Sequence, residues 1–317
     1  MSEYDGTTYY GRPQLNPAPF ENSVVGGYTF VAALAGAAQL LATLLDLSGR
    51  RDAAGAVRRG RYLALLAPVV GAPLLIYDLH TPKRFYNMLR IFRHTSPMSI
   101  GTWILSAFSV FSFATAGLQL LADRARLRWP RRLARATQIP AAATGAGMCT
   151  YTAALLSATS VPLWAAAPVA LAVRLGASAV ACGAAALALG ERTPRHHRLA
   201  RQLDAVALAA LAAEHVGALA ARRAYARRGI SAAADSRPAA VERLGADAVG
   251  VALPVALKLA AGMIGPRGAP LSSLGSLAIL AGTLTLRVGV MAAGDESARR
   301  PQDSFRFAQP QPPDRTR

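Results

Sequence analysis

Eight apolar runs divide the chain, at residues 24–47, 62–79, 98–122, 138–159, 163–190, 202–221, 244–265 and 270–293. Each is long enough to cross roughly 30 Å of hydrocarbon as a helix, which takes about 20 residues. The pattern predicts an all-α integral membrane fold of eight transmembrane helices, dividing into two four-helix bundles. The expected organisation is an extracytoplasmic N-terminal segment (1–23), a transmembrane domain (24–293) and a flexible C-terminal tail (294–317), the last because Pro301, Pro310, Pro312 and Pro313 stand among polar residues that cannot bury a core. The run at 202–221 is the least apolar, since it holds Asp204, Glu214 and His215. Without it the count falls to seven and the termini separate to opposite faces.

Between the second and third runs the pattern changes period. Thr81-Pro82 is a helix-start signal, and Phe85, Met88, Leu89 and Phe92 follow at i, i+3, i+4 and i+7, with Lys83, Arg84, Arg90 and Arg93 at other angles. This predicts a short amphipathic helix lying at the membrane surface. It reads either as an interfacial connector or as a basic platform, with Arg84, Arg90 and Arg93 available to dock a partner.

Composition agrees with segregated charge. The chain has 53% hydrophobic and 16% charged residues with a net charge of +18, a combination poorly suited to a soluble globule. The basic residues fall between apolar runs rather than along one helix face or in a tail, which argues for membrane flanks and against nucleic acid. Residues 1–22 carry no basic start followed by an apolar core, so the first run is expected to be a retained span. Lys and Arg in the connections number sixteen on one side and eleven on the other once the C-tail is set aside, which favours both termini outside.

Five ionisable residues fall well inside the runs: Arg174, Glu214, His215, Lys258 and Arg287. Such groups are costly at bilayer depth and face the bundle interior, paired or lining a polar path. Two readings stand side by side, a proton path and a set of interhelical ion pairs such as Glu214 with Arg287 or Arg174. Asp46, Asp204 and Asp247 lie near span ends and are expected to reach headgroups. Bis-histidine haem needs two buried histidines, and only His215 lies within a run. Cys149 and Cys182 have no CxxC spacing and read as small packing residues, so neither haem nor an iron–sulfur cluster is expected in this chain, nor a bound metal.

One stretch carries a resemblance. Asp78-Leu79-His80-Thr81-Pro82-Lys83-Arg84-Phe85-Tyr86-Asn87-Met88-Leu89-Arg90, followed by Ser96-Pro97-Met98-Ser99-Ile100-Gly101-Thr102-Trp103, closely resembles the NrfD/polysulfide reductase membrane-subunit family. Tyr9-Tyr10-Gly11-Arg12-Pro13, Tyr151 through Pro162-Leu163-Trp164, and Leu286-Arg287 add to it. The resemblance implies an eight-helix subunit of the cell membrane that binds a quinone, menaquinone in the leading reading, near the outer face. Beside it would stand an iron–sulfur electron-transfer subunit and, through that, a molybdopterin-type catalytic subunit. Carried over by position, the residues around the quinone headgroup become Glu21 or Asn22, Asp78 and Tyr151. Read without the family, Asp78 caps the surface helix and Tyr151 is an interfacial anchor.

The competing classes are a secondary transporter, whose intramembrane charges would serve ion or proton coupling, and a passive membrane anchor. A transporter would show broken helices at corresponding positions of two repeats, and Pro68 and Pro73 in the second run and Pro254 in the seventh form no such pair. The orientation is tested by cysteines introduced at Ser2, Thr95 and Thr316. All three are expected to react with an impermeant thiol reagent in intact cells, whereas labelling of Ser2 and Thr316 only from the cytoplasmic side reverses the assignment.

Overall fold

The computed structural model describes residues 15–16, 18, 21–79, 81–125, 127–192 and 197–308. The segments 9–13 and 309–317 and residues His80 and His196 lie outside these. The described chain is helical and contains no strand among the described residues. Its long helices are α1 (Asn22–Leu47), α2 (Arg51–Tyr77), α3 (Pro97–Ala125), α4 (Trp129–Ser157), α5 (Pro168–Gly190), α6 (His197–Arg227), α7 (Arg237–Ile264) and α8 (Ala269–Arg299). A short helix, α9 (Pro301–Ala308), follows.

Seven of these, all but α4, are long and apolar enough to cross a membrane. The run expected to be weakest, 202–221, lies in α6 and is one of the seven. The helix that falls short is α4, because Gln138, Pro140, Thr144, Thr150, Tyr151 and Thr152 dilute its apolar residues. It is nevertheless packed along α1, α3 and α5.

Neighbour relations follow chain order. α1 packs on α2 and α4, and α3 on α2 and α4; α5 packs on α6 and α8, and α7 on α8 and, more sparsely, α6. α1 is the central element, because it also touches α5 and α8. Alanine and glycine line these contacts and let backbones approach closely, as helices must where apolar burial against lipid supplies no drive. Gly183 on α5 rests on the Ala37 backbone of α1, and Gly250 on α7 meets Gly282 on α8.

Two helices widen locally. Pro68 has no N–H to return to the preceding turn and its ring crowds that turn. The backbone there forms a π-helical stretch, Ala67–Gly71, that closes with the Ala72 N–H donating to Ala67 O. A second π stretch, Leu244–Ala252, precedes Pro254 and closes with Leu253 N–H on Ala248 O.

The surface element between α2 and α3 is a 3₁₀ helix, Pro82–Leu89, shorter than its apolar period suggested, and Phe85, Tyr86, Leu89 and Phe92 are exposed. Of the segment expected to be a flexible tail, residues 294–308 are largely helical here, and 309–317 lie outside the described residues. α8 runs on to Arg299, and α9 folds back so that Asp303 and Ser304 are buried. Arg300 pairs with Asp303 at 3.0 Å, and Arg306 donates to Gly229 O at 3.0 Å, which ties the segment to the α6–α7 connection.

A Cβ added at Gly183 would meet Ala37 Cβ at 2.7 Å and its carbonyl carbon at 2.9 Å, whereas nothing lies within 4 Å of one added at Gly262. Gly183→Val is therefore expected to cost about 1–3 kcal/mol through overpacking of α1 against α5. Gly262→Ala is expected to be neutral or stabilising by up to about 1 kcal/mol. Thermal unfolding of the solubilised chain measures both, and equal midpoints for the two variants would refute this packing.

Candidate functional site

α1 begins, α2 ends, α3 begins, α4 ends and α8 ends at one end of the molecule, called here the N-face. The Asn22 side chain of α1 donates to Asp295 Oδ2 of α8 at 2.9 Å across it. Just below the N-face, α1, α2, α3, α4 and α8 enclose a cavity of about 140 Å³. The π stretch of α2 contributes Ala67 and Gly71 to its wall, and Met88 of the surface helix and Met98 of α3 lie at its edge.

Most of the lining is aliphatic or thioether. Against this background stand the phenols of Tyr28 and Tyr151 and the carboxylate of Asp78. Tyr151 can occupy its position only because residue 101 is glycine: a Cβ there would fall 1.8 Å from Tyr151 Cζ. Asp78 closes α2 and accepts a hydrogen bond from the Glu21 backbone N–H at 3.1 Å through Oδ1, so one of its oxygens fixes the start of α1. It does not cap the surface helix, whose first turn has no side-chain cap.

The expected site residues thus part company. Asp78 and Tyr151, 73 positions apart in sequence, share one cavity. Glu21 is exposed and touches it only through its backbone bond to Asp78, with its side chain accepting from Ser23 Oγ at 2.8 Å. Asn22 turns to Asp295, where one oxygen of each side chain is buried without a hydrogen bond. Tyr28 was missed in the sequence. Its signal was available, since it lies six positions after Asn22 in α1, but nothing in an apolar run marks which tyrosine faces inward.

The charges inside the apolar helices fall into separate groups. Arg174 lies 2.5 Å from Glu242 and 3.4 Å from Asp247, both on α7, and Asp247 also pairs with Arg222. Arg287 donates to Leu175 O at 2.7 Å and Ser178 Oγ at 3.3 Å. Glu214 is buried, and His215 points outward, exposed. Lys258 belongs to the opposite end, where it, Arg192 and the Ser272 hydroxyl share Asp204, and Ser276 Oγ accepts from both cations. Asp46, Asp204 and Asp247, expected near headgroups, each pair with a guanidinium or ammonium on a neighbouring element. For Asp46 that group is Arg61, itself held by Gln119 at 2.5 Å and by Gln138 at 2.6 Å and 3.2 Å.

Arg84, Arg90 and Arg93 are all exposed at the N-face. Among the described residues no group of three or more His, Cys, Asp or Glu side chains is arranged to hold a metal ion.

No curated protein matches the chain significantly. The family model for polysulphide reductase NrfD matches residues 13–296, which includes every helix from α1 to nearly the end of α8. With its apolar helices, its N-face cavity and this match over most of its length, the chain is a multi-pass membrane protein and belongs to the NrfD family, the membrane subunits of oxidoreductase complexes that pair with iron–sulfur subunits.

Proposed function

We propose that this chain is the quinone-reactive membrane anchor of such a complex, exchanging electrons between the menaquinone pool and an iron–sulfur partner docked at the N-face. In this reading α4 crosses with the other seven helices, giving eight spans in two four-helix bundles, α1–α4 and α5–α8, with both chain ends extracytoplasmic. The observation that carries the proposal is the apolar cavity in which Tyr28, Asp78 and Tyr151 meet beneath the basic surface helix.

The lining fits the group. An aromatic ring with a carbonyl at each end needs an apolar slot and hydrogen-bond donors at its polar edge, and two phenols and a carboxylate in an aliphatic wall offer that combination. A bound quinone supplies the two-electron, two-proton chemistry. Tyr151 and Tyr28 are placed to donate hydrogen bonds to carbonyl oxygens where little water competes. Asp78 is placed to hold and pass on a proton, because only one of its oxygens is engaged with the start of α1. The methionines at the edge, Met88 and Met98, make the entrance adaptable to an apolar tail. Arg84, Arg90 and Arg93 give an acidic partner surface a basic counterpart beside the cavity.

The transporter reading finds little support, since the π stretches lie in α2 and α7, which are not corresponding helices of the two halves. A passive anchor has no use for a cavity furnished with two phenols and a carboxylate.

Tyr151→Phe keeps the ring and removes one donor, so quinone-linked electron transfer in the assembled complex is expected to weaken by on the order of 1 kcal/mol, roughly fivefold. Asp78→Asn is expected to slow turnover without loss of assembly, and Gly101→Ala to match or exceed the effect of Tyr151→Phe by displacing the ring. A partner-only assay with an artificial electron carrier should stay at wild-type rate in all three. Wild-type quinone kinetics in all three variants would sink the site. Charge reversal of Arg84, Arg90 and Arg93 is expected to release the iron–sulfur partner at lower salt, because exposed pairs are screened beyond about 8 Å at physiological ionic strength. Unchanged co-purification across a salt series would leave the surface helix a connector.

A further inference from the structure

A second cavity opens at the N-face, among α5, α6, α7 and α8, and its lining is more polar than that of the first. It encloses about 220 Å³, and Arg174, Arg222, Tyr225, Asp235, Glu242 and Arg243 stand in its lining among apolar residues and Ser231. Ser231 and Asp235 at its mouth are exposed, while Arg174 and Glu242 at its base are 8% and 6% exposed. It also reaches far along α6. Ala218, part of its lining, lies nine residues before Arg227, about 14 Å below the end of that helix.

The base of the cavity is chemically incomplete. Arg174 Nη2 and Glu242 Oε1 lie 2.5 Å apart as an ion pair, and Arg174 Nε beside them is buried with no hydrogen-bond partner. A donor left open on a buried ion pair is expensive if dry, because removing charges from water costs several kcal/mol per ion and pairing alone repays it only with good geometry. The volume is several times the roughly 30 Å³ share of one water molecule, and the lining supplies the two to four polar partners that each water needs.

We propose that this cavity is a water-filled vestibule through which water, hydronium and other small hydrophilic solutes reach the Arg174–Glu242 pair from the N-face. The vestibule stops short of the first cavity. Adjacent residues of α8 face the two spaces, Val290 the vestibule and Met291 the apolar cavity, and Trp164 fills the wall between them with its indole N–H donating to Val290 O at 2.8 Å. Gly294 makes room for that indole, as a Cβ there would fall 2.0 Å from the ring. The Tyr225 hydroxyl donates to Leu163 O at 3.0 Å and anchors the same wall from the vestibule side. Two compartments at one face, one wet and one dry, are therefore kept apart by a single apolar layer. The inference does not depend on what the apolar cavity binds.

The test is thiol accessibility in the full chain held in lipid nanodiscs, which leave both faces open to a small, charged, membrane-impermeant methanethiosulfonate. Ala218→Cys reports the deep vestibule, Ser231→Cys its mouth, and Ala207→Cys the dry interior of the same helix, where Ala207 is fully buried in an alanine–leucine cluster. The wild type, whose Cys149 and Cys182 are buried, is the blank. Since modification rate follows access of the thiolate to the reagent, Ala218→Cys is expected to react within roughly tenfold of Ser231→Cys, with Ala207→Cys at the blank. Should Ala218→Cys fail to fold, Ala221→Cys, nearer the mouth on the same lining, repeats the measurement. Reaction of Ser231→Cys with the vestibule cysteine at the blank would overturn the proposal.

Discussion

Hydrocarbon does not solvate charge, and most of this architecture answers to that constraint. Every buried cation must find an anion, an amide or a carbonyl on another helix, and each such match fixes how two helices are rotated against each other. Arg61 of α2 is held by Asp46 of α1, Gln119 of α3 and Gln138 of α4, so a single guanidinium sets the register of four helices. Asp204 of α6 performs the same service at the same end for α5–α8, with Arg192 just beyond α5, Lys258 of α7 and the serines of α8 around it. Removing one partner from either group would strand a charge, which costs more than the pair ever contributes.

With the helices pinned far from the N-face, the N-face end is free to be specialised. α2 gives up regular hydrogen bonding around Pro68, and the π stretch there contributes Ala67 and Gly71 to the wall of the apolar cavity. The Asp78 carboxylate then ties the end of α2 to the start of α1. On the other side of Trp164, the helices leave space around a charge pair as well as the Tyr225 phenol. The contrast between the two cavities thus arises from which side chains each group of helices turns inward, upon one common packing of small residues.

The sequence alone determined the apolar helices, seven of which are long and apolar enough to cross a membrane, because such a helix is written as a continuous apolar run that needs no knowledge of its neighbours. It also determined the surface helix, whose proline start and apolar period are local. Asp78 and Tyr151 were legible as a pair only through resemblance, since 73 residues separate them and no periodicity links α2 to α4. Tyr28 lay in the first apolar run with nothing local to show that it faces inward, and the partners of Arg174, Lys258 and Asp204 were not legible either. Those matches depend on the rotation of each helix about its axis, which is set by glycine and alanine contacts such as Gly183 on Ala37 and Gly250 on Gly282. The same reason explains residues 300–308, which Pro301 starts as a short helix and which Arg300, Asp303 and the Gly229 carbonyl hold in place. Depth in the membrane is a property of position along one helix and can be read from the chain, whereas facing is a property of pairs of helices and was decided only when they packed.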